Sequence, residues 1–187
     1  MNHIIKSIKE LTKCNDIDLQ KIQTALNMRR LKKNDFLLKS GQVCRQYYFV
    51  ESGTVRLFYT KNQIEYTVWM GTAGEVFTNL ESYLDALPSR INIQAIEPSV
   101  VYTITKKESD QLARELNTYN TLLRRTVETA FIGLSKNVMS FQSDEALERY
   151  QRVINEKNWI ERYPLKYIST FIGVTQSTLS RIRAKRD

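Results

Sequence analysis

The chain has 187 residues, 42% of them hydrophobic, which is enough for one large domain or two small ones with a real core. Its formal net charge of +8 favours a polyanionic partner, and residues 116–187 hold much of the excess, with 12 Lys or Arg against 7 Asp or Glu. No apolar run reaches the roughly 18 residues of a membrane span, and the N-terminus is too charged for a signal peptide. We therefore expect a cytoplasmic protein with no membrane partner.

The residue types that bind metals and carry out catalysis are scarce. Cys14 and Cys44 lie thirty residues apart, and His3 is the only histidine. A zinc site needs about four ligands and an iron–sulfur cluster about as many thiolates, so neither can be assembled. No histidine is placed to hold haem or to activate a nucleophile. The sequence therefore predicts free thiols, no metal, no iron–sulfur cluster, no haem and no enzymatic activity.

The N-terminal part of the chain changes its hydrophobic period once. Residues 1–27 have a helical pattern, with Asp16 as an N-cap before a partial apolar stripe of Ile17, Leu19, Ile22 and Leu26. Residues 28–105 are rich in aromatic and β-branched residues, interrupted by the turn signals Asn34-Asp35, Ser40-Gly41, Ser52-Gly53 and Lys61-Asn62. Short strands at nearly regular spacing predict a β-roll rather than a parallel sheet.

A long helix follows, which we place over residues 116–141. Apolar residues recur on an alternating three-and-four spacing with two asparagines on the same seam: Leu116, Asn120, Leu123, Val127, Ala130, Leu134, Asn137 and Phe141. This seam predicts pairing with the same helix of a second copy, where buried asparagines would fix the register. Packing against the chain's own β-roll is the alternative. Tyr119 and Phe131 are predicted to be core residues.

The C-terminal stretch Pro164–Arg186 has the pattern of two short helices joined by a tight turn. Pro164 suits the start of the first helix. Gly173 suits the left-handed conformation that ends it. Thr175 is a good N-cap for the second helix, because its hydroxyl can accept from the amide of Thr178.

The second of these helices has two different faces. Leu179 and Ile182 fall on one side, whereas the other side is polar and free of carboxylates, with Gln176, Ser177, Ser180, Arg181 and Ala184. Such a helix fits the major groove of DNA, with small side chains near its start and a guanidinium one turn later. An ordinary helical hairpin with a solvated basic face is the alternative.

The order of a helical cap, a β-roll, a long helix and a helix-turn-helix resembles the Crp/Fnr family of bacterial transcription regulators. The stretches YISTFIGVTQSTLSRI and VESGTVRLFY carry the resemblance most specifically. It implies an α+β fold: a cyclic-nucleotide-binding-like sensor domain over residues 1–115 built on a double-stranded β-helix (a jelly-roll-like β-roll), a dimerisation helix over 116–141 and an all-α helix-turn-helix domain over 142–187. The domain would be winged-helix-like with its wing reduced or absent, because the sequence ends at Asp187.

The resemblance also implies a function. The protein would bind a pseudo-palindromic operator on double-stranded DNA as a homodimer, with RNA polymerase as a further partner. By position, Gln176, Ser177 and Arg181 match residues that contact base edges, and Thr175 and Thr178 match residues that contact phosphates. The expected DNA-binding set is completed by Lys166, Ser180, Arg183 and Lys185.

The sensor half departs from the pattern of members that bind cyclic nucleotides. Thr78-Asn79 stands where the ribose-binding glycine–glutamate pair is expected, and Ser89-Arg90 shifts the phosphate-binding arginine by one position. Ile132-Gly133 replaces the polar pair that reads adenine. Cyclic AMP is therefore not expected as the effector.

Polar residues remain that can form a pocket for an unknown small-molecule effector: Asn79, Glu81, Ser82, Ser89, Arg90 and Asn92. The alternative is that Pro88-Ser89 is a surface turn and Arg90 a solvated edge. At the level of function, the alternative is a small-molecule sensor that signals through protein–protein contacts.

Overall fold

The computed structural model describes residues 1–157, residue 159 and residues 162–184, with backbone alone for residues 156 and 157. The elements follow the predicted order of a helical start, a β-roll, a long helix and a C-terminal helical unit. This order confirms the predicted α+β fold class. None of the described helices is long and apolar enough to cross a bilayer.

Two helices precede the β-roll, α1 (Asn2–Thr12) and α2 (Asp16–Thr24). The side-chain oxygen of Asn15 caps α2 by accepting from the backbone N–H of Asp18 at 2.8 Å. The prediction of Asp16 as the cap was wrong by one residue, because Asn and Asp cap helices about equally well and adjacent candidates cannot be separated by type.

The described residues contain eight strands: β1 (Asn27–Leu31), β2 (Phe36–Leu38), β3 (Gln46–Ser52), β4 (Thr54–Lys61), β5 (Ile64–Thr72), β6 (Val76–Phe77), β7 (Asn92–Ala95) and β8 (Ser99–Thr105). They form two antiparallel sheets with the orders β1-β8-β3-β6 and β2-β7-β4-β5. A short helix, α3 (Leu80–Asp85), separates β6 from β7 and was not predicted. The predicted turns are confirmed by positive φ angles at Asn34, Gly41, Gly53 and Asn62.

The C-terminal half contains α4 (Lys106–Glu115), α5 (Asn117–Ser143), α6 (Ala146–Lys157), α7 (Leu165–Phe171) and α8 (Gln176–Ala184). A capping box between Thr105 and Glu108 starts α4. Leu116 is extended (φ −127°, ψ 110°) and buried, so it separates α4 from α5. The long helix therefore begins at Asn117 and ends at Ser143, close to the predicted limits of 116–141.

Three apolar clusters hold these elements together. The N-terminal core packs α1 and α2 against β3 and the first turns of α5, with Tyr119 and Leu122 fully buried. The roll core fills the space between the two sheets. The linking core joins the roll to the helix-turn-helix, because Met70 and Ile96 pack with Tyr167, Ile168 and Leu179.

Gly53, between β3 and β4, lies very close to the turn before β8, and this close approach can be tested. Its φ is +81°, and an added Cβ would lie 2.2 Å from Ser99 Oγ and 2.6 Å from the carbonyl oxygen of Pro98. We expect Gly53→Ala to lower the free energy of unfolding by about 3 kcal/mol, from backbone strain and overpacking together. Urea denaturation measures this change.

Gly41→Ala is the matched control. Gly41 has a similar φ of +89°, but an added Cβ meets nothing within 4 Å. We expect a cost of about 1 kcal/mol from the backbone conformation alone. Equal costs at the two glycines would contradict the close approach of Gly53 to the turn before β8.

Candidate nucleic-acid interface and sensor cassette

The turn between α7 and α8 has the geometry predicted for it. Gly173 has a φ of +71°, and the hydroxyl of Thr175 accepts from the backbone N–H of Thr178 at 3.1 Å. Leu179 is fully buried against Ile168 and Ile172 in the linking core. Burial of this side of α8 determines which side faces solvent.

The solvent-facing side of α8 carries the residues predicted for base contact. Gln176, Ser177, Ser180, Arg181 and Ala184 are all exposed. No carboxylate lies between Tyr163 and Ala184 in the sequence, so the surface is uncharged near the start of α8 and cationic towards its end. A helix with this surface presents hydrogen-bonding groups to base edges without repelling phosphates.

The residues predicted for phosphate contact lie on α7, on α8 and in the turn between these helices. Thr175 is exposed, Thr178 is half-buried, and their hydroxyl oxygens lie 2.9 Å apart. Lys166 is exposed on α7, and Arg183 is half-buried at the end of α8. Lys185 lies outside the described residues.

The middle and end of α5 carry an apolar stripe that is exposed in the described chain. Its members alternate at four- and three-residue spacing and are all exposed: Val127, Phe131, Leu134, Val138 and Phe141. The prediction of Phe131 as a core residue was wrong, since 69% of it is exposed. The stripe shares Val127, Leu134 and Phe141 with the predicted seam, whose Ala130 is also exposed.

The other seam residues show that the alternative, packing on the chain itself, applies to the first turns of the helix. Leu116 is buried and Leu123 half-buried in the N-terminal core, so the first turns of α5 pack on their own chain. Asn120 is exposed and donates to the carbonyl oxygen of Ala113, and Asn137 is half-buried. Only the part of α5 after Thr126 leaves its apolar face open.

The open part of α5 also contacts the helix-turn-helix. The ring of Phe141 lies so close to Gly173 that an added Cβ would be 2.7 Å from it. Phe141 therefore contributes both to the apolar stripe and to the packing of the turn that precedes α8.

The polar residues predicted as an effector pocket are brought together, but they form hydrogen bonds with one another or with nearby backbone groups. Asn79 donates to Ser89 Oγ at 2.6 Å, and Ser89 donates to the carbonyl oxygen of Ile91. Ser82 accepts from the backbone N–H of Cys44 and donates to the carbonyl oxygen of Leu87. Asn79, Ser82 and Ser89 are all buried, and we call this group the sensor cassette, together with Glu81, Arg90 and Asn92.

The remaining cassette residues lie at the surface or its edge. Arg90 pairs with Glu81 at 2.8 Å, and the pair is solvated, with 80% of the Arg90 side chain exposed. The oxygen of Asn92 accepts from the backbone N–H of Ser40. Arg90 is thus a solvated edge, as the alternative prediction held, whereas Ser89 is a buried junction rather than a surface turn.

A groove of about 1000 Å³ lies beside α3 and α4 and was not predicted. Its floor includes the buried Tyr48 and Tyr83, and its cationic residues are Arg45, Lys106, Lys107 and Arg114. Burial and the hydrogen bond with Cys44 keep the hydroxyl of Tyr48 protonated by raising its pKa. The groove combines residues far apart in sequence, so no local pattern indicated it.

The comparisons with known proteins agree with this architecture. Residues 28–115 match the family described as "Cyclic nucleotide-binding domain". No curated protein sequence matches the chain.

Solved structures extend the similarity beyond that domain. A CooA mutant from Carboxydothermus hydrogenoformans is 16% identical with a TM-score of 0.71, over 94% of this chain and 85% of that one. FixK2 from Bradyrhizobium japonicum is 15% identical with a TM-score of 0.74, over 86% and 83%. CLP, a c-di-GMP responsive global regulator from Xanthomonas campestris, is 12% identical with a TM-score of 0.66, over 91% of each chain.

The fold and the site together define a β-roll joined by a long helix to a helix-turn-helix. The predicted resemblance to the Crp/Fnr transcription regulators is confirmed: residues 28–115 match the cyclic nucleotide-binding domain family, and the whole chain has the fold of these regulators.

The hydrogen bonds of the sensor cassette make a stability prediction. Asn79→Ala removes a donor to a buried hydroxyl, so we expect a loss of about 1–2 kcal/mol in the free energy of unfolding. Arg90→Ala removes only a solvated ion pair, so we expect a change below about 0.5 kcal/mol. Chemical denaturation of both variants measures the difference, and a larger loss for Arg90→Ala would contradict the hydrogen-bonded structure of the cassette.

Proposed function

We propose that the protein is a sequence-specific DNA-binding transcription regulator of Crp/Fnr type that binds a pseudo-palindromic operator as a homodimer. The observation that carries this proposal is the surface of α8. Its exposed side is free of carboxylates and presents Gln176, Ser177 and Arg181, whereas its apolar side is buried.

The roles of the individual side chains follow from their chemistry. Arg181 can donate two hydrogen bonds to a guanine, and Gln176 can pair with an adenine through its amide. Thr175, Thr178, Lys166 and Arg183 lie on α7, on α8 and in the turn between them, and they supply hydroxyls and positive charge for phosphates. Base contacts by Gln176 and Arg181 would determine which DNA sequence is preferred. Phosphate contacts by the other four residues would fix the position of the protein along the duplex.

The apolar stripe on α5 supports the homodimer. Five large side chains at coiled-coil spacing are exposed, and water contact with such a surface is unfavourable. A second copy of the same helix supplies a matching surface, because a two-fold interface is self-complementary. Two copies of α8 would then face half-sites related by the same axis.

The sensor cassette supports control by an effector other than cyclic AMP, or by none. The ribose carboxylate is replaced by Asn79, and the buried polar groups of the cassette have partners within the chain. Arg90 points to Glu81 rather than into the fold. A ligand would have to displace these bonds to bind here.

A second candidate function is a small-molecule sensor that signals through protein–protein contacts. The groove beside α4 favours it, because its cations Arg45, Lys107 and Arg114 form a surface that can contact acidic groups. This function predicts no protected region on genomic DNA, whereas the DNA-binding proposal predicts a two-part footprint.

The assignment of a base reader can be tested by selection on randomised operators. We expect Arg181→Ala to relax preference at one base pair in each half-site, with a loss of discrimination of about 1–3 kcal/mol. Lys166→Ala is the control for a phosphate contact. We expect it to weaken all sequences alike and, because each dimer loses two lysines, to reduce the slope of log K against log salt by about 1.8. If both variants lowered affinity uniformly, Arg181 would not read a base.

The dimer can be tested by a charge placed in the apolar stripe. Phe131→Glu puts a carboxylate in the centre of the proposed interface twice, so we expect the dimer dissociation constant to rise by at least about a hundredfold. Ile17→Glu is the matched control, because Ile17 on α2 is also 69% exposed. Sedimentation equilibrium measures both. A monomeric wild type, or equal effects of the two changes, would contradict the assignment of α5 as the dimer helix.

A further inference from the structure

A positive charge is fully buried between the sensor domain and the helix-turn-helix. Arg56 lies in β4, in the interior of its sheet, and only 1% of it is exposed. Its neighbours Val55 and Leu57 point into the roll core, so the alternation of the strand directs Arg56 to the opposite face. That face packs against α7.

Within the β-roll, Arg56 donates two hydrogen bonds to residues of β5. Its Nη1 donates to Glu65 Oε2 at 2.7 Å, and its Nε donates to Thr67 Oγ1 at 2.8 Å. Glu65 is half exposed and Thr67 is buried. The charge is therefore paired, as a buried guanidinium requires.

The guanidinium also lies over two aromatic rings, one from each domain. Its Cζ lies 4.2 Å from the ring centroid of Phe58 in β4 and 4.2 Å from that of Tyr167 in α7. Thr67 continues the contact, because its hydroxyl lies 2.9 Å from that of Thr170, also in α7. A cation held close to both rings restricts the position of α7 on the sheet.

A second polar contact anchors the loop before α7 to the same sheet. The hydroxyls of Thr54 and Tyr163 are hydrogen-bonded, and Thr54 also donates to Glu97 at 2.7 Å. Arg162 pairs with the same Glu97. Burial raises the pKa of Tyr163, so the hydroxyl that bonds to Thr54 keeps its proton.

We propose that Arg56 is a positioning residue for DNA recognition, which holds α7, and with it α8, at one orientation to the β-roll. The proposal rests on the proposed function, and it adds that this orientation determines which half-site spacing the dimer accepts. A reorientation of α7 would take Tyr167 off the guanidinium and open a buried charge to water. An apolar residue at position 56 would fill the same space without fixing the orientation of α7.

Arg56→Met is the variant that separates orientation from folding. Methionine is flexible and packs well against aromatic rings. It leaves Glu65 without its cation and removes one donor to Thr67. Glu65 is half exposed and Thr67 keeps its contact with Thr170, so no buried charge is left unpaired. Arg30→Met, at an exposed position of β1, is the matched control for loss of one positive charge.

The experiment measures binding to operators selected by the wild type, with the spacer changed by one base pair in either direction. Each base pair moves a half-site by about 3.4 Å and turns it by about 34°. We expect the wild type and Arg30→Met to lose at least about tenfold in affinity, and Arg56→Met to lose less than about threefold, with the preferred bases unchanged. Spacing selectivity equal to the wild type in Arg56→Met would overturn the proposal, and so would loss of base preference, which indicates a damaged domain.

Hydrogen exchange without DNA provides the second readout. We expect amides of α7 to exchange at least about fivefold faster in Arg56→Met, with α1 unchanged, because the contact stabilises this element locally. Thr170→Ala removes the contact with Thr67 and the hydroxyl's bonds to the carbonyl oxygens of Lys166 and Tyr167, but it leaves Arg56 in place, so it should give a smaller change in the same direction. Unchanged exchange in α7 would overturn the positioning role whether or not DNA binds. Failure of the wild type to bind any duplex would overturn the proposed function alone.

Discussion

The burial of Leu179 is the constraint on which the candidate interface depends. This side chain has no exposed surface, and it packs with Ile168 and Ile172 across a turn that Gly173 makes with a positive φ. Complete burial of a leucine is worth about 1.5–3 kcal/mol, so rotating α8 by a third of a turn would be costly. The exposure of Gln176, Ser177 and Arg181 follows from the burial of Leu179.

The same packing links recognition to the rest of the molecule. The linking core includes Met70 and Ile96 of the β-roll, so the helix-turn-helix packs directly against the β-roll of the same chain. Phe141 contacts Gly173 from the end of α5 and also belongs to the apolar stripe. A change in the pairing of two α5 helices would therefore act directly on the turn that orients α8, through the contact between Phe141 and Gly173.

Local rules predicted the features that local chemistry determines. The positive φ angles at Gly53 and Gly173, the Thr175 cap and the extent of the β-roll all follow from residue type and spacing. The polar face of α8 could also be predicted, because one buried leucine per two turns fixes the rotation of so short a helix.

Tertiary packing decided the features that were missed. Phe131 is exposed because the side of α5 that faces the β-roll is that of Gly133, which lies against the ring of Trp69. The internal bonding of Asn79 and Ser89 depends on strands brought together by the fold. The sequence pattern of β4 predicts an ordinary surface arginine at position 56. Arg56 is buried because α7 packs on this face of the sheet.

In the proposed function, two protomers present two copies of α8 to one duplex. The most direct measurement is the mass of the complex, by sedimentation velocity or native mass spectrometry, on a duplex enriched from genomic fragments at low ionic strength. We expect a complex of two protomers and one duplex that dissociates as salt is raised. A complex with one protomer per duplex, or protein that sediments separately from DNA, would contradict it.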